Sequence, residues 1–324
     1  MAAGETRSAV LAAISGNLLI AAAKAAAAAF SGSASLLAEA IHSVVDTGNG
    51  ALMLYGLRRS RKPADRQHPF GYGHELYFWT LVVGILIFAL GGGMSIVTGV
   101  LHIRSGAVAE ASGWNYAVIV AAMAFEGSTW WFGLRAFRAE RRGRGVVDTI
   151  RGTKNPATFA VLLEDSAALA GLVFALAGLY LSAALGEPWI DGACSIAIGL
   201  LLCVVALVMV YESKGLIVGE GVEPATLERL RELVLAQPGV ECVDRMLTMY
   251  LGPEEILLAV ELRFRAEIHG REIRRTVTRL RETIRARYPR FKHIFFGTAA
   301  TGARSSGRPS SAARPAAAPG RSAR

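Results

Sequence analysis

Apolar residues fill six long blocks in the first two thirds of the chain, at about 8–30, 33–57, 76–101, 114–136, 157–185 and 190–212. A helix rises about 1.5 Å per residue, so each block can cross the ~30 Å hydrocarbon layer of a bilayer. Beyond Tyr211 the pattern becomes that of a water-exposed domain. Pro224 to Gln237 reads as a helix with apolar Leu227, Leu230, Leu233 and Val234. Val240 to Tyr250 and Ile256 to Phe264 read as strands around a Gly252-Pro253 turn. Arg271 to Arg287 reads as a basic amphipathic helix and Phe291 to Phe296 as a last strand. The expected fold class is an all-α six-span transmembrane bundle followed by a small cytoplasmic α+β domain, in the order α-β-β-α-β. The expected bounds are 1–213 for the bundle, 214–297 for the α+β domain and 298–324 for a disordered basic tail.

The connections between the blocks alternate in charge. Arg58, Arg59, Arg61, Lys62 and Arg66 follow the second block, and Arg138, Arg141, Arg142, Arg144, Arg151 and Lys154 follow the fourth. The opposite connections, Phe30-Ser31-Gly32-Ser33 and Gly186-Glu187-Pro188, carry no basic residue, and the one near His102 has Arg104. The positive-inside rule then places both termini in the cytoplasm, and the membrane expected is a bacterial inner (cell) membrane. The run after Met1 to Arg7 has no evident cleavage site and is read as a first span rather than a cleaved signal peptide.

Composition agrees with a membrane protein. The 324 residues are 52% hydrophobic, and a mean hydropathy of +0.38 is too high for an ordinary soluble domain of this length. Five charges of the net +9 are arginines of the tail: Arg304, Arg308, Arg314, Arg321 and Arg324. That tail is rich in Ser, Pro, Ala and Gly and cannot bury a core. A solvated tail is favoured over one that binds anionic lipid, and nucleic acid is not an expected partner. Cys194, Cys203 and Cys242 form no CxxC pair, so neither a disulfide framework nor a thiolate zinc site is indicated.

Ionisable residues inside apolar blocks change the picture most. His42 and Asp46 sit four apart in the second block, on one face of a helix. An imidazole and a carboxylate make half of a tetrahedral site for a divalent metal. Buried charges in a bilayer usually mark a substrate or ion pathway, although a structural ion pair is the plainer alternative. Glu164 and Asp165 lie in the fifth block. Adjacent helical residues point about 100° apart, so the two cannot face one site equally well. Asp165 can join His42 and Asp46 if the helices pack side by side. Glu164 then serves as a further ligand, a supporting partner or a proton carrier.

The loop from Asp65 to Glu75 offers Asp65, His68 and His74 as a second metal site or, equally, a fold-defining turn. Lys24 and Glu126, inside the first and fourth blocks, must be paired or face a cavity; Glu126 is a candidate proton relay. Asp191 reads as a helix cap at the outer interface, and His102, His269 and His293 stand alone. The chain carries no P-loop, GxSxG, HExxH or dinucleotide fingerprint. An enzyme is not expected, and energy would come from an ion gradient.

Together these residues resemble the cation diffusion facilitator (cation efflux) family, over roughly residues 8–297. The string Glu39-Ala40-Ile41-His42-Ser43-Val44-Val45-Asp46-Thr47-Gly48-Asn49 and the string Leu163-Glu164-Asp165-Ser166-Ala167-Ala168 are most similar to the branch of the mitochondrial zinc transporter and its bacterial relatives. The resemblance implies a homodimeric antiporter exchanging a divalent cation, usually zinc, for protons. It implies no cofactor, since Zn²⁺ is the transported substrate. It also implies a ferredoxin-like, metallochaperone-like cytoplasmic domain, here serving mainly in dimerisation. Two ligands from the second span and two from the fifth make the family's transport site. His42, Asp46 and Asp165 match three of them. The fourth falls on Val161, which cannot bind metal, and Glu164 is the nearest replacement. In the loop, Asp65 and His68 match a second family site, but Tyr72 holds its other histidine position and His74 is the possible substitute.

The reading is a secondary transporter in the lipid bilayer, with Zn²⁺ held by His42, Asp46 and Asp165 and completed by Glu164 or water. The alternatives are the same machine carrying Mn²⁺, Fe²⁺ or Co²⁺, and a non-transporting membrane protein whose α+β domain binds a partner.

Overall fold

The computed structural model describes residues 3–107, 109–110, 112–141 and 156–298. Its apolar blocks form the helices α1 (Ala3–Ser31), α2 (Ala34–Ser60), α3 (His74–Ser105), α4 (Gly113–Arg141), α5 (Pro156–Leu185) and α6 (Trp189–Val218). A π-helical stretch, Ile87–Gly93, interrupts α3. Among the described residues four segments are long and apolar enough to cross a membrane: His74–Ser105, Gly113–Arg135, Ala160–Leu185 and Trp189–Val218. In α1 the segment Asn17–Ser31 is a shorter apolar helix. The polar load of α2 (Glu39, His42, Asp46, Asn49) keeps it out of the set of four. Arg142, Arg144, Arg151, Lys154 and the expected tail lie outside the described residues.

The helices α3 and α6 pack through glycines spaced seven apart on each. A Cβ on Gly99 would stand 2.5 Å from the Gly192 carbonyl oxygen, and one on Gly199 would stand 2.7 Å from that of Gly92. Small residues let two backbones approach where lipid gives helices no hydrophobic reason to associate. The hydroxyl of Ser195 donates to the Ser95 carbonyl at 2.8 Å within the same seam.

The start of α2 is fixed from outside its own sequence. A helix leaves its first N–H groups without partners, and inside a membrane protein these must be satisfied by protein atoms. The Ser33 hydroxyl accepts from the Leu36 amide at 3.2 Å. The carboxylate of Asp191, fully buried on the first turn of α6, accepts from the Ala34 amide at 2.5 Å and the Ser35 amide at 3.3 Å. It also accepts from the hydroxyls of Ser33 and Ser35. The expectation of Asp191 as an interfacial cap is corrected here. It caps the neighbouring helix from a buried position, where its charge also complements the positive end of the α2 dipole.

Past Val218 come α7 (Pro224–Leu235), β1 (Val240–Gly252), β2 (Glu255–Phe264), α8 (Gly270–Arg287) and β3 (Phe291–Thr298), the order expected from the pattern. The sheet order is β1-β2-β3, with β1 and β2 antiparallel and β2 and β3 parallel. Leu230 and Val234 of α7 and Leu280 and Ile284 of α8 pack on Leu258, Val260 and Leu262 of β2. Tyr77 of α3 belongs to that same core. The junction is tight: a Cβ on Gly73 would stand 2.1 Å from the Leu251 carbonyl oxygen, and His74 Nε2 lies 3.1 Å from the Tyr250 carbonyl. The turn before α3 is thus seated on the end of β1.

The α3–α6 seam leaves no room for a branched side chain. Gly199→Val should lower stability by ~1–3 kcal/mol, as overpacked sites do, and so lower the Tm of the purified protein in detergent. An unchanged Tm would show that the seam is looser than these distances require.

Candidate metal centre

The helical spacing of His42 and Asp46 brings imidazole Nε2 to 3.4 Å from carboxylate Oδ2. The His42 side chain is 1% exposed, and neither ring nitrogen has a hydrogen-bond partner among the described residues. The Oδ1 atom of Asp46 is likewise buried and unpartnered. A buried polar group left without a partner costs ~1–3 kcal/mol, so these atoms call for a water, a proton or an ion from outside the chain.

Across the α2–α5 contact the two adjacent acids separate as helical geometry requires. Asp46 and Asp165 line one cavity of about 320 Å³, together with Ser43, Glu126, Thr129 and Val161. Glu164 instead accepts from Asn49 Nδ2 at 3.3 Å and is not part of that wall. Val161, one turn before Asp165, presents no donor atom to the cavity. Among the described residues no three His, Cys, Asp or Glu side chains stand close enough to hold one ion. The arrangement is a set of oxygen and nitrogen donors around a space, not a closed coordination shell.

Behind this wall lies Lys24, wholly buried. Its ammonium donates to Glu39 Oε2 at 3.0 Å, Ser43 Oγ at 3.0 Å and Glu126 Oε1 at 2.6 Å. The sequence pointed to one acid for Lys24; the structure supplies two, from α2 and α4. Glu39 was missed, although its place three residues before His42 puts it on the same helical face. Room for it comes from α5, where a Cβ on Gly171 would stand 2.0 Å from Glu39 Oε1. At the other end of the bundle His102 lies 3.7 Å from Asp191, so it is not the isolated histidine its sequence setting suggests.

The loop candidates do not gather. Asp65 Oδ1 accepts from the amides of Gln67 at 2.9 Å and His68 at 2.7 Å, and Oδ2 accepts from the Tyr72 hydroxyl at 2.6 Å. The His68 ring nitrogen Nδ1 is 3.5 Å from Asp65. His74 is engaged by the Tyr250 carbonyl, as above, and Glu75 pairs with Arg59 at 2.8 Å. Hydrogen bonds from Tyr72 first, then from the backbone, hold the Asp65 carboxyl down at about 2. These groups define a turn; the structure does not bring His74 to Asp65 and His68.

Residues 10–218 match the family model described as the cation efflux transmembrane domain. The proton-coupled zinc antiporter SLC30A9, mitochondrial, of Xenopus laevis is 30% identical over 251 residues, which are 76% of this chain and 44% of that protein. The protein of the same name from Homo sapiens is 30% identical over 251 residues, 76% of this chain and 43% of its own length. Metal tolerance protein C4 of Arabidopsis thaliana is 29% identical over 235 residues, 72% of this chain and 51% of that protein. The chain thus spans less than half the length of the zinc antiporters that it matches.

The loop geometry has a pH consequence. Because the folded-state value of Asp65 is depressed to about 2, its contribution to loop order is present above the unfolded value of ~3.9 and lost as pH falls through about 2. Tyr72→Phe should move the Asp65 titration upward toward the ordinary value, read by NMR of the labelled carboxyl. A titration that does not move would mean that the tyrosine is not what holds it down.

Proposed function

The chain belongs to the cation efflux family, and from that premise we propose that it is a secondary transporter exchanging a divalent metal cation, Zn²⁺ first, for protons. The observation that carries the proposal is that Asp46 of α2 and Asp165 of α5 line one cavity, with His42 beside Asp46 and without a hydrogen-bond partner among the described residues. In this reading His42, Asp46 and Asp165 bind the cargo and Glu164 supports them through Asn49. All six long helices cross the membrane, α1 and α2 included, because their charged side chains are turned inward on each other. In this reading the basic residues Arg58, Arg59, Arg61, Lys62 and Arg66 keep the α2–α3 loop on the cytoplasmic side, with the sheet and both chain termini.

Coupling follows from the donor set. Carboxylates and imidazole bind a metal only when deprotonated, so cargo and protons compete for the same lone pairs. Rocking of the bundle then offers the site to one side loaded with metal and to the other loaded with protons. The oxygen-rich set also favours Mn²⁺ or Fe²⁺ more than an imidazole-rich one would, which makes these ions the second choice of cargo.

The test is zinc flux into liposomes holding the purified protein, followed with an internal zinc dye and an imposed pH gradient. Asp46→Ala should reduce flux to background while the protein still inserts. Asp165→Asn should be nearly as severe and Glu164→Gln milder. Wild-type flux from Asp46→Ala, or flux indifferent to the gradient, would end the proposal.

We also infer that two copies associate through the open face of the sheet. Leu247, Ala259 and Phe295 are register partners across the three strands, and Leu247 and Phe295 are 47% and 52% exposed. An apolar row across a sheet face is a natural place for a second copy. Phe295→Glu should shift the protein from dimer toward monomer by light scattering in detergent. A dimer of unchanged stability would place the interface elsewhere.

A further inference from the structure

The cavity contains a third carboxylate, which the proposed ligand set leaves unused. Glu126, on α4, lines it together with Asp46 and Asp165. One of its oxygens is held by Lys24 at 2.6 Å, and the other, Oε2, is buried with no hydrogen-bond partner among the described residues. Glu126 also stands within electrostatic reach of both Asp46 and Asp165. The same wall contains Val161, where α5 offers no donor.

We propose that Glu126 is a direct ligand of the transported divalent cation, with Lys24 as the positioning residue that orients it. The inference rests on the reading of this cavity as the transport site. A carboxylate that ligates a metal through one oxygen is commonly fixed by a hydrogen bond to the other. Lys24 fills that role with a charge-assisted bond, and its further bonds to Glu39 and Ser43 hold its ammonium at a fixed place against α2. The free Oε2 of Glu126 is then the atom that meets the cargo. Site closure would bring it, Asp46 and Asp165 onto one ion, with His42 as the nitrogen donor. The donors come from α2, α4 and α5, and a carboxylate on α4 makes up for the missing donor on α5. The ligand class is a divalent cation that accepts three carboxylates, which raises affinity for hard ions relative to a site richer in nitrogen.

The test is metal binding by the full-length protein in detergent, with Zn²⁺ and Mn²⁺ measured by competition against a fluorescent chelator. Glu126→Gln keeps an oxygen for Lys24 but loses the anionic donor. It should weaken Zn²⁺ binding about tenfold and Mn²⁺ binding more, because the harder ion depends more on carboxylate. Adding Val161→His to that variant should restore Zn²⁺ affinity to within about threefold of wild type and leave Mn²⁺ weak, since imidazole suits zinc. A purely structural role would weaken both metals alike and would not be rescued from position 161; that result overturns the inference. Wild-type affinity in Glu126→Gln, alongside loss of binding in Asp46→Ala, overturns it too and leaves the transport site standing. Wild-type affinity in Asp46→Ala removes the site itself. If Glu126→Gln does not fold, Glu126→Asp keeps the charge beside Lys24 with a shorter reach. It should change the ratio of Zn²⁺ to Mn²⁺ affinity, and an unchanged ratio counts against the proposal.

Discussion

A fully buried ammonium group must be surrounded by acceptors, and Lys24 meets that demand with Glu39, Ser43 and Glu126. Leaving a charge unpaired in a low-dielectric interior costs several kcal/mol, and removing one partner of a buried set usually costs more than the set contributes. Three helices are therefore held in register: α1 through Lys24, α2 through Glu39 and Ser43, and α4 through Glu126. His42 and Asp46 follow Glu39 on the same face of α2 at helical spacing, so fixing Glu39 also fixes the rotation of the two residues that face the proposed cargo. The packing of α5 depends on the same point, because its approach to α2 is possible only where Gly171 lacks a side chain against the Glu39 carboxylate.

The helix α2 is secured at both ends as well. Asp191 and Ser33 hold its first amides. At its last turn Arg59 pairs with Glu75, which also accepts from Trp79 Nε1 at 3.0 Å. The turn between α2 and α3 then leans on the end of β1 through Gly73 and His74. A chain of direct contacts thus runs from the middle of the bundle to the sheet. It gives the sheet a mechanical connection to the helix that carries His42.

Much of this was legible from single helices. The 3.6-residue period of α2 is enough to pair His42 with Asp46, and the switch from long apolar blocks to short alternating runs is enough to place the sheet and its order. The separation of Glu164 from Asp165 follows from the angle between neighbouring helical residues. What the pattern could not give was any contact between helices. Lys24 and Glu126 are 102 residues apart, and Asp191 is 157 residues from the amide it caps; no periodicity carries that information. The loop candidates stayed open between two readings for a related reason. Asp, His and Gly at short spacing suit a metal site and a hydrogen-bonded turn equally, and the choice was made by Tyr72 and by the distant Tyr250. The six apolar blocks became six long helices, but polar α2 falls short of a span by composition, since its face is matched to its neighbours rather than to lipid.

Under the proposed function, the balance of charge around the cavity supplies the reason for exchange. Glu39, Asp46, Glu126, Glu164 and Asp165 bring five carboxyl groups to the region, and Lys24 brings one ammonium. Neutralising one carboxylate leaves an excess of negative charge that an apolar bundle cannot sustain bare. Either a divalent cation or protons must therefore be present at every moment. Under the proposed function, that necessity is the coupling. On that proposal no separate mechanism links the two fluxes, because the state with neither cargo is too costly to populate while the bundle turns between the two faces of the membrane.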